Sequence, residues 1–383
     1  MSLVINTNVS SLNAQNNLTK SQSALAQATE RLSSGLKINS AKDNAAGFAI
    51  SQRYTTQIGG LNQASANASD AINLAQTTGS ALDQVTANLQ AIRDLAVQAA
   101  NGTYTDSDRS SIDQEVQQRL AEITRIANQT TFNGSKVLDG SLGTKSFQVG
   151  ADVGQTISVS LQTSVKTSDI GKVAEVSTGD ISAAFDPATA TDWSAEGLKI
   201  NGTAVDLSGV KSLQDLSDAI NAAGVDGVSA AVSADGKGIN FYSSGPLKIE
   251  DTGASVIGAN AKDVNAGATY AAGDDAAVGG SLSGGSVKTV DAANDLISRV
   301  DVALKTVSDF AAQLGAVQNR FQSTISTVAA QTTNLQSSQS TIQDADFAAE
   351  TAALSKAQVL QQAGISVLAQ ANSNPQQVLK LLQ

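Results

Sequence analysis

Between residues 293 and 335, apolar side chains recur at alternating steps of three and four: Ala293, Ile297, Val300, Leu304, Val307, Ala311, Leu314, Phe321, Ile325, Val328 and Leu335, with polar Gln318 and Thr332 in the same series. Such steps keep one stripe on an α-helix, and six heptads predict a helix on the order of 70 Å long. A matching seam runs through Ile58, Leu61, Ala68, Ile72, Ala75, Leu82, Leu89 and Ala96, with Val85, Ile92 and Ala99 one stripe over. Gly102 and the polar residues after it end that helix. A third helix is predicted to start around 106 to 108 and to repeat apolar residues at Ile112, Val116, Leu120, Ile123 and Ala127. Asn133-Gly134 then reads as a turn, and Phe147, Val149, Ile157, Val159 and Leu161 alternate around the 150 to 154 segment as a β-hairpin does.

The ends of the chain carry thinner stripes. Leu18, Leu25 and Leu32 stand seven apart, but the positions between them are Ala14, Ser21 and Ala28. Residues 345 to 372 place Phe347, Leu354, Leu360, Ile365 and Leu368 among many Ala and Gln. Stripes this thin do not hold an isolated helix pair in water, so both ends are expected to be largely disordered in a free monomer and to fold on each other or on a neighbour.

The pattern changes between 171 and 290, a stretch that holds 18 of the 31 Gly and 15 Asp or Glu against 7 Lys. Leu198 and Ile200, then Asn201-Gly202, then Val205 and Leu207 form a second hairpin signature. Ser212 with Asp215 resembles a helix start, and Leu213, Leu216 and Ile220 give one short helical face before Gly224. Segments 228 to 232, 239 to 241 and 247 to 249 alternate as strands around Asp235-Gly236-Lys237-Gly238. The insert is therefore an acidic α+β module carried by a helical body, and the fold class expected is mainly α.

Composition narrows what this body does. With no His and no Cys, imidazole bases, thiolate nucleophiles, disulfides and soft zinc sites are excluded. Asp274-Asp275 sits in a Gly/Ala-rich loop without an apolar pocket and reads as a solvated pair rather than a catalytic dyad. Neither a cofactor nor an EF-hand spacing is expected. A net charge of -11 argues against nucleic acid as a partner, since phosphate binding requires a basic face. No run of 18 apolar residues is present, so no membrane span is expected. Met1-Ser2-Leu3-Val4-Ile5-Asn6 lacks a basic n-region, so no cleavable secretory leader is expected. Because nothing inside the chain is left to cover the thin ends, they are better explained as polymerisation elements whose missing partners come from neighbouring copies.

At the level of motifs the chain resembles bacterial flagellins. ERLSSGLKINSAKDNAAGFAIS from Glu30, LQAIRDLAVQAANGTYTD from Leu89 and QRLAEITRIANQTTFNGSKVLDG from Gln118 are similar to that family's N-terminal signatures. The stretch from Ala345 through QVLQQAGISVLAQANSNPQQVLKLLQ resembles its terminal helix. The likeness covers about residues 1 to 165 and 287 to 383, and Ile200-Asn201 within 197 to 202 resembles a short module of flagellin and hook-protein inserts.

The resemblance implies a helical homopolymer, the extracellular flagellar filament, whose subunits leave the cell unfolded through the flagellar type III apparatus. It divides the chain into a coiled-coil inner-tube domain (1–44 with 340–383), a helical core rod with a β-hairpin (45–170 with 287–339) and a solvent-facing domain (171–286). Leu18, Leu25, Leu32, Phe347, Leu354 and Leu368 are then polymerisation seams, and Gly150 and Gly154 lie in the hairpin implicated in filament switching. An export chaperone, a filament cap and hook-junction proteins are the further partners implied. Residues 30 to 51 are similar to the peptide sensed by the plant flagellin receptor kinase. Arg93, Leu95 and Glu115 correspond to the surface bound by the flagellin-sensing Toll-like receptor, although Ala91 stands where receptor-activating flagellins carry Arg. The competing readings are a hook-filament junction protein and a secreted coiled-coil adhesin holding a ligand on the acidic insert. A protease-bearing flagellin would need a His-Glu-x-x-His box, which a chain without His lacks.

Overall fold

The computed structural model describes residues 7–185, 193, 197–253, 256–258 and 260–381, with side chains as far as residue 373. The first six residues, on which the absence of a leader was read, lie outside the described residues. The chain is mainly α, with long helices toward both ends and a small strand-rich insert between them. It divides into two compact units, one from residues 7–68, 148–155 and 323–381, the other from 69–147 and 156–322.

In the first unit, α1 (Val9–Ser34) and α6 (Phe347–Leu381) run antiparallel. Asn8 caps α1 by accepting from the Ser11 amide at 3.1 Å, and its Nδ2 donates to the Ala371 carbonyl at 2.8 Å. At the other end, Arg31 faces Glu350 at 3.8 Å. Gly35, at φ 72°, ends α1, and its carbonyl accepts from the Ala345 amide at 2.9 Å. The α1 stripe is the one predicted: Ala14 and Ala28 are buried, and Leu18, Ser21, Leu25 and Leu32 are half-buried.

The α6 stripe is not. Phe347 is 69% exposed, and Leu360 and Ile365 are exposed too, while the inward line passes through Glu350, Leu354, Ala357, Gln361, Gly364, Leu368 and Ala371. The reason is complementarity between the two helices. Gly364 lies against Leu18, where an added Cβ would stand 3.3 Å from Leu18 Cδ1. One seven-residue step along each chain brings Leu25 level with Ala357, so small residues stand opposite these two α1 leucines, while Phe347, Leu360 and Ile365 are turned away and Leu354 and Leu368 stay on the inward line.

Helix α2 (Ala45–Ala100) and helix α5 (Val290–Gln343) contribute residues to both units. The buried line of α2 is Leu61, Ala64, Ala68, Ala71, Ala75, Thr78, Leu82, Val85, Leu89, Ile92, Ala96 and Ala99, an unbroken 3-4 series. Val85, Ile92 and Ala99 therefore belong to the main seam rather than to a second stripe, and Ile58 and Ile72 are half-buried beside it. In α5 the seven-residue positions Ala293, Val300, Val307, Leu314, Phe321 and Val328 are buried as expected. The positions between them are Leu296, Ala303 and Phe310, one residue earlier than the predicted Ile297, Leu304 and Ala311. Both members of each pair are apolar, so the stripe is two residues wide and packing decides which member becomes its centre.

In the second unit, α3 (Asp106–Gln129) begins with a reciprocal capping box: Asp108 N donates to Thr105 Oγ1 at 3.2 Å and Thr105 N to Asp108 Oδ2 at 3.0 Å. The Thr105 hydroxyl, which donates to Asp108 Oδ2 at 2.7 Å, and then the Thr105 amide hold the Asp108 carboxyl below the usual carboxylate range. β1 (Thr131–Phe132) and β2 (Ser135–Lys136) pair across Asn133-Gly134, both at positive φ, the geometry of a type I′ turn. β3 (Gly143–Gln148) and β4 (Thr156–Leu161) form the predicted two-stranded hairpin, which buries Ile157, Val159 and Leu161. Phe147 meets Phe321 edge-on, with ring centroids 5.8 Å apart.

The insert opens with β5 (Val173–Ser177) and turns through the second Asn-Gly hairpin, β6 (Leu198–Ile200) and β7 (Thr203–Ala204). Helix α4 (Leu213–Ala222) starts at Ser212, which accepts from the Asp215 amide at 3.1 Å. β8 (Val228–Val232), β9 (Ile239–Ser243) and β10 (Leu247–Asp251) follow, then the two-residue strands β11 (Lys262–Asp263), β12 (Ala268–Thr269), β13 (Asp275–Ala276) and β14 (Val278–Gly279). One sheet has the order β12-β11-β5-β9-β8, with β14 also on β5, and the other β13-β10-β6-β7. Asn221 of α4 bonds both the N–H and the C=O of Ala230, so a side chain occupies part of the β8 edge. Trp193 stacks on Phe185 at 4.9 Å over a core containing Leu198, Ile200, Leu216 and Phe241. The expected alternation fails at β9, where all five residues are buried. Its Glu175-facing side is covered as well as its core side, because Tyr242 pairs across the ladder with Glu175 and borders Ser298, Asp301 and Val302 of α5.

Candidate functional site

Three surfaces were picked out by sequence, and each is built differently. On the first, Leu18, Leu25, Leu32, Leu354 and Leu368 lie together in the α1–α6 seam, whereas Phe347 stands outside it. The buried members are all Ala, so this seam removes little apolar surface from water. Polar bonds fix its register: Ser11 Oγ donates to Asn372 Oδ1 at 2.7 Å, and the Lys37 amide donates to the Gln343 carbonyl at 2.6 Å. Between α1 and α2, Asp43 Oδ2 accepts from the amides of Asn39 and Ser40 at 3.1 and 3.0 Å. The bond from the Ser40 amide leads in holding the Asp43 carboxyl below its ordinary range.

The second surface is the loop of residues 149–155, which belongs to the first unit. Val149 N donates to the Gln155 carbonyl at 2.8 Å, and Gln148 Nε2 spans the loop to the carbonyls of Gly150 and Asp152 at 2.9 and 2.6 Å. Gly154 has φ +88° with open space around it, so its constraint is conformational. Gly150 differs, since an added Cβ would overlap the Gln155 side chain. Asn67 Nδ2 donates to the Gln148 carbonyl at 3.0 Å, and Gly60 faces Ala151 closely enough that an added Cβ would stand 3.0 Å from its Cβ. A cavity of about 270 Å³ remains between Gly150, Gln155 and the α5 residues Ser323, Thr327, Val328 and Gln331. A loop resting on small side chains beside free space has room to repack.

On the third surface, Arg93 is tied to Asp301 of α5 by bonds of 2.7 and 3.4 Å, which raise the already high pKa of its guanidinium. Leu95 is half-buried, and Glu115 is exposed and paired with Arg119 at 2.7 Å one turn along α3. Ala91 is half-buried on α2.

Two buried charges on α3 lie outside the sites predicted from sequence. Arg109 donates to the carbonyls of Ala99, Asn101 and Tyr104 at 2.7, 3.0 and 2.7 Å and so pins the α2–α3 turn. Asp113 accepts from Ser286 Oγ and the Val287 amide at 2.8 and 2.9 Å, with Lys288 at 3.7 Å. A signal was present: stepping back from Val116 by three and then four residues lands on Asp113 and Arg109, where the first two seam positions are charged. No group of three or more carboxylates suited to holding a metal occurs among the described residues, and no helix there is long and apolar enough to cross a membrane.

Residues 5–142 match the bacterial flagellin N-terminal helical region, and residues 297–382 match the bacterial flagellin C-terminal helical region. B-type flagellin of Pseudomonas aeruginosa is 37% identical and flagellin B of Vibrio cholerae 39% identical, each alignment covering 100% of both chains. Among solved structures, FliC from Burkholderia pseudomallei is 28% identical, with a TM-score of 0.39 over 65% of this chain and 99% of that one. With both helical flanks matched and full-length relatives at this identity, the chain belongs to the bacterial flagellin family and is a structural subunit of the flagellar filament, not an enzyme.

Proposed function

We propose that the chain is exported unfolded by the flagellar type III apparatus and polymerises outside the cell. In that assembly 1–44 with 340–383 form the inner tube, 45–170 with 287–339 the core rod, and 171–286 the outer surface. The observation that carries this reading is the distribution of apolar side chains on α6. At 100° per residue, Phe347 and Ile365 lie on one flank of the seam facing α1, and Leu360 and Val367 lie on the other. All four are exposed. A helix that is apolar on three sides cannot be covered by one partner helix, and a lattice of identical neighbours supplies the rest. Before export, the same faces require a chaperone to cover them. The filament cap and the hook-junction proteins are the partners at the two ends of the polymer.

Seeded polymerisation followed by negative-stain microscopy tests the proposal. Wild-type protein is expected to extend seeds into tubes of helical symmetry. The double variant Leu360→Asp with Ile365→Asp is expected to remain monomeric while Trp193 emission stays that of the folded insert. Filaments from the double variant at wild-type yield would refute the lattice reading of α6.

Recognition by the flagellin-sensing Toll-like receptor is a second part of the proposal, supported by Arg93, Leu95 and Glu115 at the family's receptor-contact positions. Arg93→Ala and Glu115→Ala are expected to lower reporter activation by monomer roughly ten-fold, the scale of an interface hot spot. Absence of activation at nanomolar-range wild-type protein rejects this chain as an agonist.

A further inference from the structure

At the base of the insert, one guanidinium serves more carboxylates than it can neutralise. Arg299 of α5 is buried, with Nε 2.7 Å from Asp295 Oδ2 and Nη2 3.6 Å from Glu175 Oε2. Its Nη1 also donates to the Gly279 carbonyl at 3.1 Å, and Gly280 lies so close that an added Cβ would collide with the guanidinium. Glu175 is on the first strand of the insert and Gly279 on the last, and β14 pairs with β5 at Gly279 and Val173. Arg299 thus bolts the departing and returning strands of the insert to α5.

The charges facing Glu175 are Asp291, Asp295 and Arg299 on α5 and Asp263 on β11, with the Tyr242 hydroxyl on β9. Asp263 is satisfied by the amides of Ala266 and Ala277 at 2.9 and 2.7 Å, and Asp291 by the Ala234 amide at 2.8 Å. Asp295 Oδ1 and Tyr242 Oη are buried without a hydrogen-bond partner among the described residues. Among the described residues, Glu175 has the longer Arg299 contact alone to offset its charge.

We propose that Glu175 and Asp295 form a proton-binding site under Arg299, in which the two carboxyls and one guanidinium together hold a single proton, and that losing this proton loosens the insert from α5. Burial first, then the charge on Asp295, pushes the Glu175 carboxyl up to about 7, and burial also raises Asp295. The folded state therefore holds a proton that the unfolded chain has released, and the stability tied to it is lost as pH rises through 7.

Trp193 is the single tryptophan of the chain and lies in the insert core, so its emission reports this region in the full-length monomer. Urea unfolding followed by Trp193 emission is expected to give an equilibrium constant about ten-fold larger at pH 8.5 than at pH 6, from a folded value of about 7 against 4.5 unfolded. Glu175→Gln should reduce that change to less than about two-fold, whereas the exposed control Glu250→Gln should keep it. The carboxyl 13C signal of Glu175 in wild-type protein should titrate near 7, and in Asp295→Asn it should fall below about 6 because Arg299 is released to Glu175. A full pH response in Glu175→Gln overturns the proposal. So does a wild-type Glu175 midpoint near 4.5, which can be read even if the variant fails to fold, or a midpoint that stays near 7 in Asp295→Asn.

Discussion

Arg109 condenses a turn onto a single side chain. Its three carbonyl partners belong to the end of α2 and the residues after it, so truncation would strand buried acceptors as well as remove charged hydrogen bonds. Arg109→Ala is expected to cost about 3 kcal/mol in urea unfolding of the monomer. A loss below about 1 kcal/mol would mean that water replaces the guanidinium. The two loop glycines make a second case at this scale. Gly154 is held at φ +88°, where a β-branched residue costs about 2 kcal/mol, while a side chain at Gly150 displaces the Gln155 side chain. Gly154→Val and Gly150→Val are expected to lock filaments in one shape, scored by dark-field microscopy across pH and salt, and normal polymorphic filaments would dismiss the loop as a switch.

At the scale of elements, the paired termini depend on small residues. Ala28 and Ala357 are buried on facing helices, and a carboxylate at either place would lie in the seam without a partner. The ends, expected from sequence to be largely disordered in a free monomer, are paired helices in the single chain, so Ala28→Asp and Ala357→Asp are each expected to lower monomer helicity by circular dichroism and to abolish seeded growth. Retained helicity with normal growth would show that the seam contributes little. The capping box of α3 makes a smaller claim, that Thr105→Ala lowers monomer stability by about 1 kcal/mol. The Ser212 cap of α4 and the Asn-Gly turns were legible in sequence because they are local, and both turns have the positive φ that their residues favour. The α6 stripe was legible only at Leu354 and Leu368, since Phe347 and Ile365 exceed Ala357 and Gly364 in hydrophobicity, and the leucines of α1 decide that Ala357 and Gly364 turn inward instead.

For the whole molecule, the insert is attached where its ends meet. The Leu282 amide donates to the Ile170 carbonyl at 3.1 Å, and the Ser283 amide to the Thr167 carbonyl at 3.0 Å, so the chain returns beside the point from which it left. Replacing residues 172–280 by a short Gly-Ser linker is therefore expected to leave a protein that still extends seeds, with a net charge several units less negative, because the insert carries most of the acidic excess. Failure to polymerise, with helicity intact, would assign the insert a part in the lattice.

The helical body, the seven-residue seams, the place of the insert and the lack of imidazole and thiol chemistry are written in the order and kinds of residues alone. Each of these follows from periodicity or composition, and tertiary contacts adjust the seams only in which neighbouring residues fill them. Tertiary structure decided which of two adjacent apolar residues enters a seam, as Leu296 does in place of Ile297. It also decided which charges are buried, as at Asp113, and which residues distant in sequence converge, as Glu175, Asp295 and Arg299 do. Periodicity fixes a face to within about one residue, whereas burial is set by the shape and charge of whatever lies opposite, and that is known only once the chain has folded.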